Sequence, residues 1–131
     1  MASEYLMRGA KFVTSNPDIF NIVNGKREMA GGVIAEMLSV ATDRKPEVVC
    51  GKPNKALYEV MALEKGWTED EKQKTLMVGD KLVTDIQFGI NAGIDTLLVE
   101  SGCHSEKDFS CPTENPNNIR PTWITSSFGS E

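Results

Sequence analysis

The sequence predicts an α/β protein organised around an open, mostly parallel sheet. Three observations lead there: apolar periodicity switches between short β-branched runs and helical stripes, the runs stop at Gly, Pro or Asp, and strands alternate with helices. That alternation builds parallel βαβ units with right-handed crossovers. Ligands of such sheets bind beyond the carboxyl ends of the strands, so the residues directly after each strand carry most weight.

Lys11 to Ser15 reads as the first strand, stopped by Asn16-Pro17-Asp18, because Pro pre-sets a turn and Asn and Asp tolerate one. A loop is expected through Asn24-Gly25. From Gly31 to Thr42, Val33, Ile34, Met37, Leu38 and Ala41 recur at helical spacing and predict one buried stripe. Glu47 to Cys50, opened by Pro46 and closed by Gly51, reads as a buried strand. Asn54 is a candidate N-cap for a helix to Lys65 that places Leu57, Val60, Met61 and Glu64 on adjoining turns, with Gly66 past its end.

Thr68 to Lys74 is polar and is expected as a surface segment. Thr75 to Val78 is the third strand, with Gly79-Asp80 at its carboxyl end. A helix over Val83 to Ala92 should turn Ile86 and Ile90 inward and end at Gly93, and Thr96 to Val99 is the fourth strand. Beyond Gly102 the chain is polar and proline-punctuated until Thr122 to Thr125, which reads as a last strand.

Composition narrows the function classes. The chain has 131 residues, a formal charge of −5, 40% hydrophobic and 25% charged residues, as expected of one globular domain. Its longest apolar run is four residues, Val60 to Leu63, against the roughly 20 of a membrane span. The acidic balance supplies no basic footprint for nucleic acid. The start, Met1-Ala2-Ser3-Glu4, lacks a secretory pattern, so a cytoplasmic location is expected. Three cysteines, Cys50, Cys103 and Cys111, point to reduced thiols, and with His104 they lack the paired spacing of a zinc site.

The strongest chemical constellation is Gly79-Asp80-Lys81-Leu82-Val83-Thr84-Asp85, two carboxylates at one strand tip. Mg²⁺ takes oxygen ligands, usually one or two protein carboxylates completed by water and phosphate oxygens. Asp80 is the candidate ligand. Asp85 is a candidate to hold a metal-bound water or to orient a neighbouring lysine. The plainer alternative is that Asp80 makes a turn and Thr84 with Gln87 forms a capping box. Lys52, in Gly51-Lys52-Pro53 at the preceding strand tip, could neutralise a phosphoryl group, although most lysines are solvated surface charges. No GxGxxG or GxxxxGK[ST] occurs, and His104 has no GxSxG partner, so nucleotide loops and a serine triad are set aside.

These residues resemble the haloacid dehalogenase-like phosphatases, and within them the 4-nitrophenylphosphatase and phosphoglycolate phosphatase branch. The resemblance runs over Lys45 to Pro53, Thr75 to Gly89, Phe12 to Asp18, and Gly93 to Val99 with Ser101-Gly102. It implies a Rossmann-like core, a magnesium cofactor and hydrolysis of a small phosphorylated metabolite through an aspartyl-phosphate. Lys52 and Asp85 would be the catalytic lysine and its supporting carboxylate, Asp80 the metal ligand, and Lys52 and Asn16 would meet substrate. Residues 1–28 would be the tail of a cap domain and 29–131 the second part of the core.

One departure bears on activity. The family's nucleophile is the first aspartate of DxDGT, and this chain contains no DxDGT and no counterpart of the family's phosphoryl-binding Ser/Thr motif. The resemblance therefore implies a C-terminal fragment with little or no turnover of its own. The competing class is a nonenzymatic α/β interaction module that keeps the fold alone. A receiver-like phosphoacceptor would need an acidic pair near the first strand, which this order does not supply. Exposed strand edges would favour self-association, and so a possible homo-oligomer.

Overall fold

The computed structural model describes residues 1–23 and 26–129; the loop expected at Asn24-Gly25 lies outside them. The chain is α/β with parallel strand pairing, as its alternating periodicity predicts. Contacts divide it into two compact units, Met1–Gly51 and Lys52–Glu131.

The first unit contains α1 (Ala2–Met7), β1 (Val13–Thr14), β2 (Phe20–Val23), β3 (Lys26–Met29), α2 (Gly32–Thr42) and β4 (Val48–Val49). β1 and β4 pair in parallel, Val13 opposite Val48, at the centres of the two strands read from sequence, but the second is not buried as expected: Val48 is 41% exposed, for among the described residues only one neighbouring strand pairs with it. β2 and β3 pair antiparallel, Phe20 opposite Met29 and Val23 opposite Lys26, where only irregular chain was expected. Asn-Gly between two short runs is the strongest short-range hairpin signal, so these strands were readable.

Helix α2 forms where predicted but does not bury the predicted stripe. Ile34 and Met37 are 62% and 66% exposed, Ala41 is exposed, and Val33 and Leu38 are only partly covered. Periodicity defines an apolar face, and burial additionally needs an element to pack on it. Within this unit α2 packs chiefly against α1, whose Leu6 is buried.

The second unit starts at Lys52. Asn54 Oδ1 accepts the Ala56 N–H at 2.9 Å, and α3 (Ala56–Lys65) ends on Gly66 at φ +63°, the left-handed backbone that favours glycine. Its buried face is Tyr58 and Ala62, whereas the expected Leu57, Val60 and Met61 are exposed. The covering partners decide this: Trp67 packs 6.1 Å from the Tyr58 ring, and the Tyr58 hydroxyl donates to the Lys72 carbonyl.

The segment after Trp67 lies at the surface as expected and contains a helix, α4 (Glu69–Gln73). Thr68 Oγ1 accepts the Glu71 N–H and the Glu71 carboxylate accepts the Thr68 N–H at 2.8 Å, a reciprocal capping box. Thr68→Ala should cost about 1 kcal/mol, read from the denaturation midpoint. The Thr68 N–H holds the Glu71 carboxyl below its ordinary pKa, so its contribution should be complete above that value and fade as pH falls through the folded one.

β5 (Leu76–Gly79), β6 (Asp95–Val99) and β7 (Trp123–Thr125) form a parallel sheet in that order, with Gly79 opposite Leu98 and Val99 opposite Thr125. The helix expected over Val83 to Ala92 is two elements: a π-helical turn (Leu82–Ile86), then α5 (Gln87–Ala92). Thr84 therefore does not cap with Gln87, whose amide donates to Asn91 instead. Gly89 sits where a Cβ would meet Thr96 Cγ2 at 2.2 Å, so α5 lies directly on β6. Leu82, Ile86, Leu98 and Ile119 form the core, with Val83 and Phe109 against it; Ile86 is inward as expected, but Ile90 is half exposed. Buried Asn115 accepts the Ile119 N–H at 2.7 Å and donates to the Phe109 and Ile119 carbonyls, fastening the polar segment after β6 to this core.

Candidate active site

The site is built at the carboxyl end of β5. The strand ends on Gly79, the next residue is Asp80, and the wide π turn carries Asp85 back against the strand tip. A Cβ on Gly79 would lie 2.3 Å from Asp85 Cβ, so only glycine permits this approach. Asp85 is 4% exposed and fully engaged. Its Oδ1 accepts from Lys52 Nζ at 2.5 Å, and its Oδ2 accepts the backbone N–H groups of Asp80 at 3.2 Å and Lys81 at 3.0 Å.

Lys52 is half exposed, so its ammonium is anchored on one side and open on the other. Three N–H donors and one carboxylate partner leave capacity for an anionic oxygen. Of the two roles open to Asp85 from sequence, the geometry is that of orienting the lysine.

Asp80 is held from the opposite side by the segment after β6. Its Oδ2 accepts the Cys103 N–H at 2.9 Å, and its carbonyl accepts the His104 N–H at 3.0 Å. A Cβ on Gly102 would fall 2.2 Å from Asp80 Oδ2. Burial alone would raise the Asp80 pKa, but hydrogen bonds from Cys103 and from its own N–H outweigh it, and the carboxyl lies below its usual value. The Asp80 carboxylate beside it raises the Cys103 thiol.

Asp80 suits a magnesium ion as one ligand of a larger set. The Cys103 N–H occupies Asp80 Oδ2, and Oδ1 is the oxygen that a hard cation would take, beside the Cys103 thiol and the Asp85 carboxyl. Both Asp85 oxygens are occupied, and no cluster of three His, Cys, Asp or Glu that could hold a metal occurs among the described residues. Asp80 would hold such an ion, with water and phosphate oxygens completing the shell.

Thus Lys52, Asp80 and Asp85 are brought together as the sequence suggested. Asn16 belongs to the first unit, at the end of β1, where its Oδ1 accepts the Asp18 N–H at 2.8 Å in an Asx turn. Sequence reasoning did not assign Gly102, Cys103 or His104 a part in the site. The close run Ser101-Gly102 after a strand was the available signal, since glycine often marks a close backbone approach.

A family model for HAD-hydrolase-like proteins matches residues 49–129 of the chain, the stretch that holds Lys52, Asp80 and Asp85. The chain belongs to the HAD-hydrolase-like family. Similar members include a 5′-nucleotidase of Bacillus subtilis, 35% identical over 86% of this chain and 43% of its own length. Phosphoglycolate phosphatase 2 of Arabidopsis thaliana is 36% identical over 90% of the chain and 37% of its own. Among solved HAD-hydrolase-like structures, a 4-nitrophenylphosphatase from Thermotoga maritima superposes with a TM-score of 0.78 at 28% identity, covering 96% of this chain and 45% of that one. A glycerol phosphate phosphatase from Mycobacterium tuberculosis, in complex with magnesium, gives a TM-score of 0.75 at 29% identity, covering 95% and 35%. The chain thus spans about two fifths of the length of the curated relatives it matches.

Proposed function

We propose that the chain forms part of a magnesium-dependent phosphomonoester hydrolase that works through an aspartyl-phosphate, of the 4-nitrophenylphosphatase and phosphoglycolate phosphatase kind. The observation that carries this is the Lys52–Asp85 pair beside Asp80 at one strand tip. The relatives' phosphatase activities and the magnesium in one related structure support it. When bound, the metal would supply charge neutralisation for phosphate oxygens.

This chain's own residues would do the rest of the positioning. Lys52, fixed by Asp85, presents its free N–H donors to a phosphoryl oxygen, where opposing charge stabilises a transition state. Asp80 offers Oδ1 as ligand while Cys103 keeps Oδ2 occupied. The attacking aspartate is not in this sequence, which has no DxDGT, so the chain alone should turn over little substrate. The expected substrate is a small phosphorylated metabolite met in the cytoplasm, with no nucleic acid or membrane partner. No helix of the described residues is long and apolar enough to cross a membrane.

The test is thermal unfolding of the chain with and without Mg²⁺. Binding to the native state should raise the midpoint for wild type and leave Asp80→Ala unmoved. Identical midpoints for wild type with and without Mg²⁺ would favour the nonenzymatic interaction module. Hydrolysis of 4-nitrophenyl phosphate by the isolated chain, abolished in Asp80→Ala, would overturn the missing-nucleophile account.

A further inference from the structure

The imidazole of His104 plays no part in the proposed chemistry, yet it is 6% exposed and each ring nitrogen has a partner. Nδ1 lies 3.0 Å from the Leu82 backbone nitrogen, and Nε2 lies 3.3 Å from Glu114 Oε2. A backbone N–H can only donate, so Nδ1 must be the acceptor and the ring hydrogen must sit on Nε2, directed at Glu114. The tautomer follows from the main chain.

Leu82 is fully buried and opens the π turn that carries Asp85. Its N–H is one of the first donors of a helical segment, which find no partner within the helix. His104 supplies that partner from 22 residues away, and its own N–H donates to the Asp80 carbonyl. The next contact along is Cys103 N–H on Asp80 Oδ2. Three hydrogen bonds therefore clasp residues 103–104 onto residues 80–82, and of residues 103 and 104 only His104 lends its side chain to them.

We propose that His104 is a positioning residue for the metal site: as the Nε2–H tautomer oriented by Glu114, it pins the Leu82 N–H and so fixes the backbone that aims Asp80. This rests on the reading of Asp80 as the magnesium ligand. Without the ring, a buried N–H loses its acceptor, and Asp85 still holds the N–H groups of Asp80 and Lys81 but nothing holds that of Leu82 in its place. Groups that orient ligands in this way typically change metal affinity by 10–100-fold when removed.

The experiment compares wild type, His104→Ala, His104→Asn and Asp80→Asn. Mg²⁺ affinity is measured by calorimetry, and metal-free stability by chemical denaturation. Asn keeps an oxygen acceptor near the Nδ1 position, so His104→Asn should recover most of the affinity that His104→Ala loses, which we expect to be roughly tenfold or more. Slow hydrogen exchange at the Leu82 amide should be lost in His104→Ala and return in His104→Asn. Nitrogen chemical shifts of the imidazole should report the Nε2–H tautomer in wild type.

Equal Mg²⁺ affinity in wild type and His104→Ala, or an Nδ1–H tautomer, would overturn the proposal and leave the metal reading intact. Wild type that binds no Mg²⁺, or binds it as well as Asp80→Asn does, would overturn both. Should His104→Ala fail to fold, His104→Asn against His104→Leu decides: Asn, which keeps an acceptor for the Leu82 N–H, should bind Mg²⁺ nearly as wild type does and Leu should not, and equal affinity in the two would overturn the proposal.

Discussion

Replacing Asp85 with alanine should destabilise the second unit by about 3 kcal/mol, because its carboxylate is the common acceptor for three donors. The backbone N–H groups of Asp80 and Lys81 cannot move away, and each unpaired buried donor costs about 1–3 kcal/mol. The Lys52 ammonium contributes less, since it is half exposed and water can take over its solvation. Asp85→Asn keeps one acceptor oxygen and should cost less than alanine, while still weakening the hold on Lys52. Denaturant midpoints for the two variants check the order. A loss below about 1 kcal/mol for Asp85→Ala would mean that water replaces the carboxylate at the strand tip.

Leu98→Ala should have an effect of similar size for a different reason. Leu98 has no exposed surface, lies on the central strand β6, and packs with Leu82, Ile86 and Ile119. Truncating such a side chain removes transfer free energy and leaves a cavity, together about 2–5 kcal/mol. Small domains have only about 5–15 kcal/mol in total, so a broad, low-temperature unfolding transition is expected. Ile34→Ala and Met37→Ala, on the uncovered face of α2, should shift the midpoint by less than about 0.5 kcal/mol. A comparable loss at those two positions would show that the α2 face is covered in solution.

Much of the site was legible because its residues stand where an α/β sheet puts function. Lys52 follows an apolar strand, and Asp80 and Asp85 flank the turn after another, so position and residue type coincide. Gly102 was legible only as a residue following a strand, and His104 not at all: what they touch are the Asp80 carboxylate and the Leu82 N–H, over 20 residues distant. No spacing rule encodes a contact whose other half is main chain. The helices show the converse limit. The stripe on α2 and the Leu57–Met61 face of α3 have helical period but lie exposed, because period says which residues share a face and not what packs there. The capping box of α4 and the Asn-Gly pair after β2 were present as local signals and outweighed by the polarity around them.

Asp80 is held largely by main chain: Gly102 has no side chain, and Cys103 and His104 both reach it through their N–H groups, with the Cys103 thiol beside the same carboxylate. Its direction is thus inherited from the path of the backbone, not from the identity of its neighbours. Side chains that take no part in setting that path can be exchanged without re-aiming the carboxylate, as long as residue 102 stays bare and position 104 keeps an acceptor for the Leu82 N–H. The surroundings of the carboxylate are thus free to vary while its aim stays put.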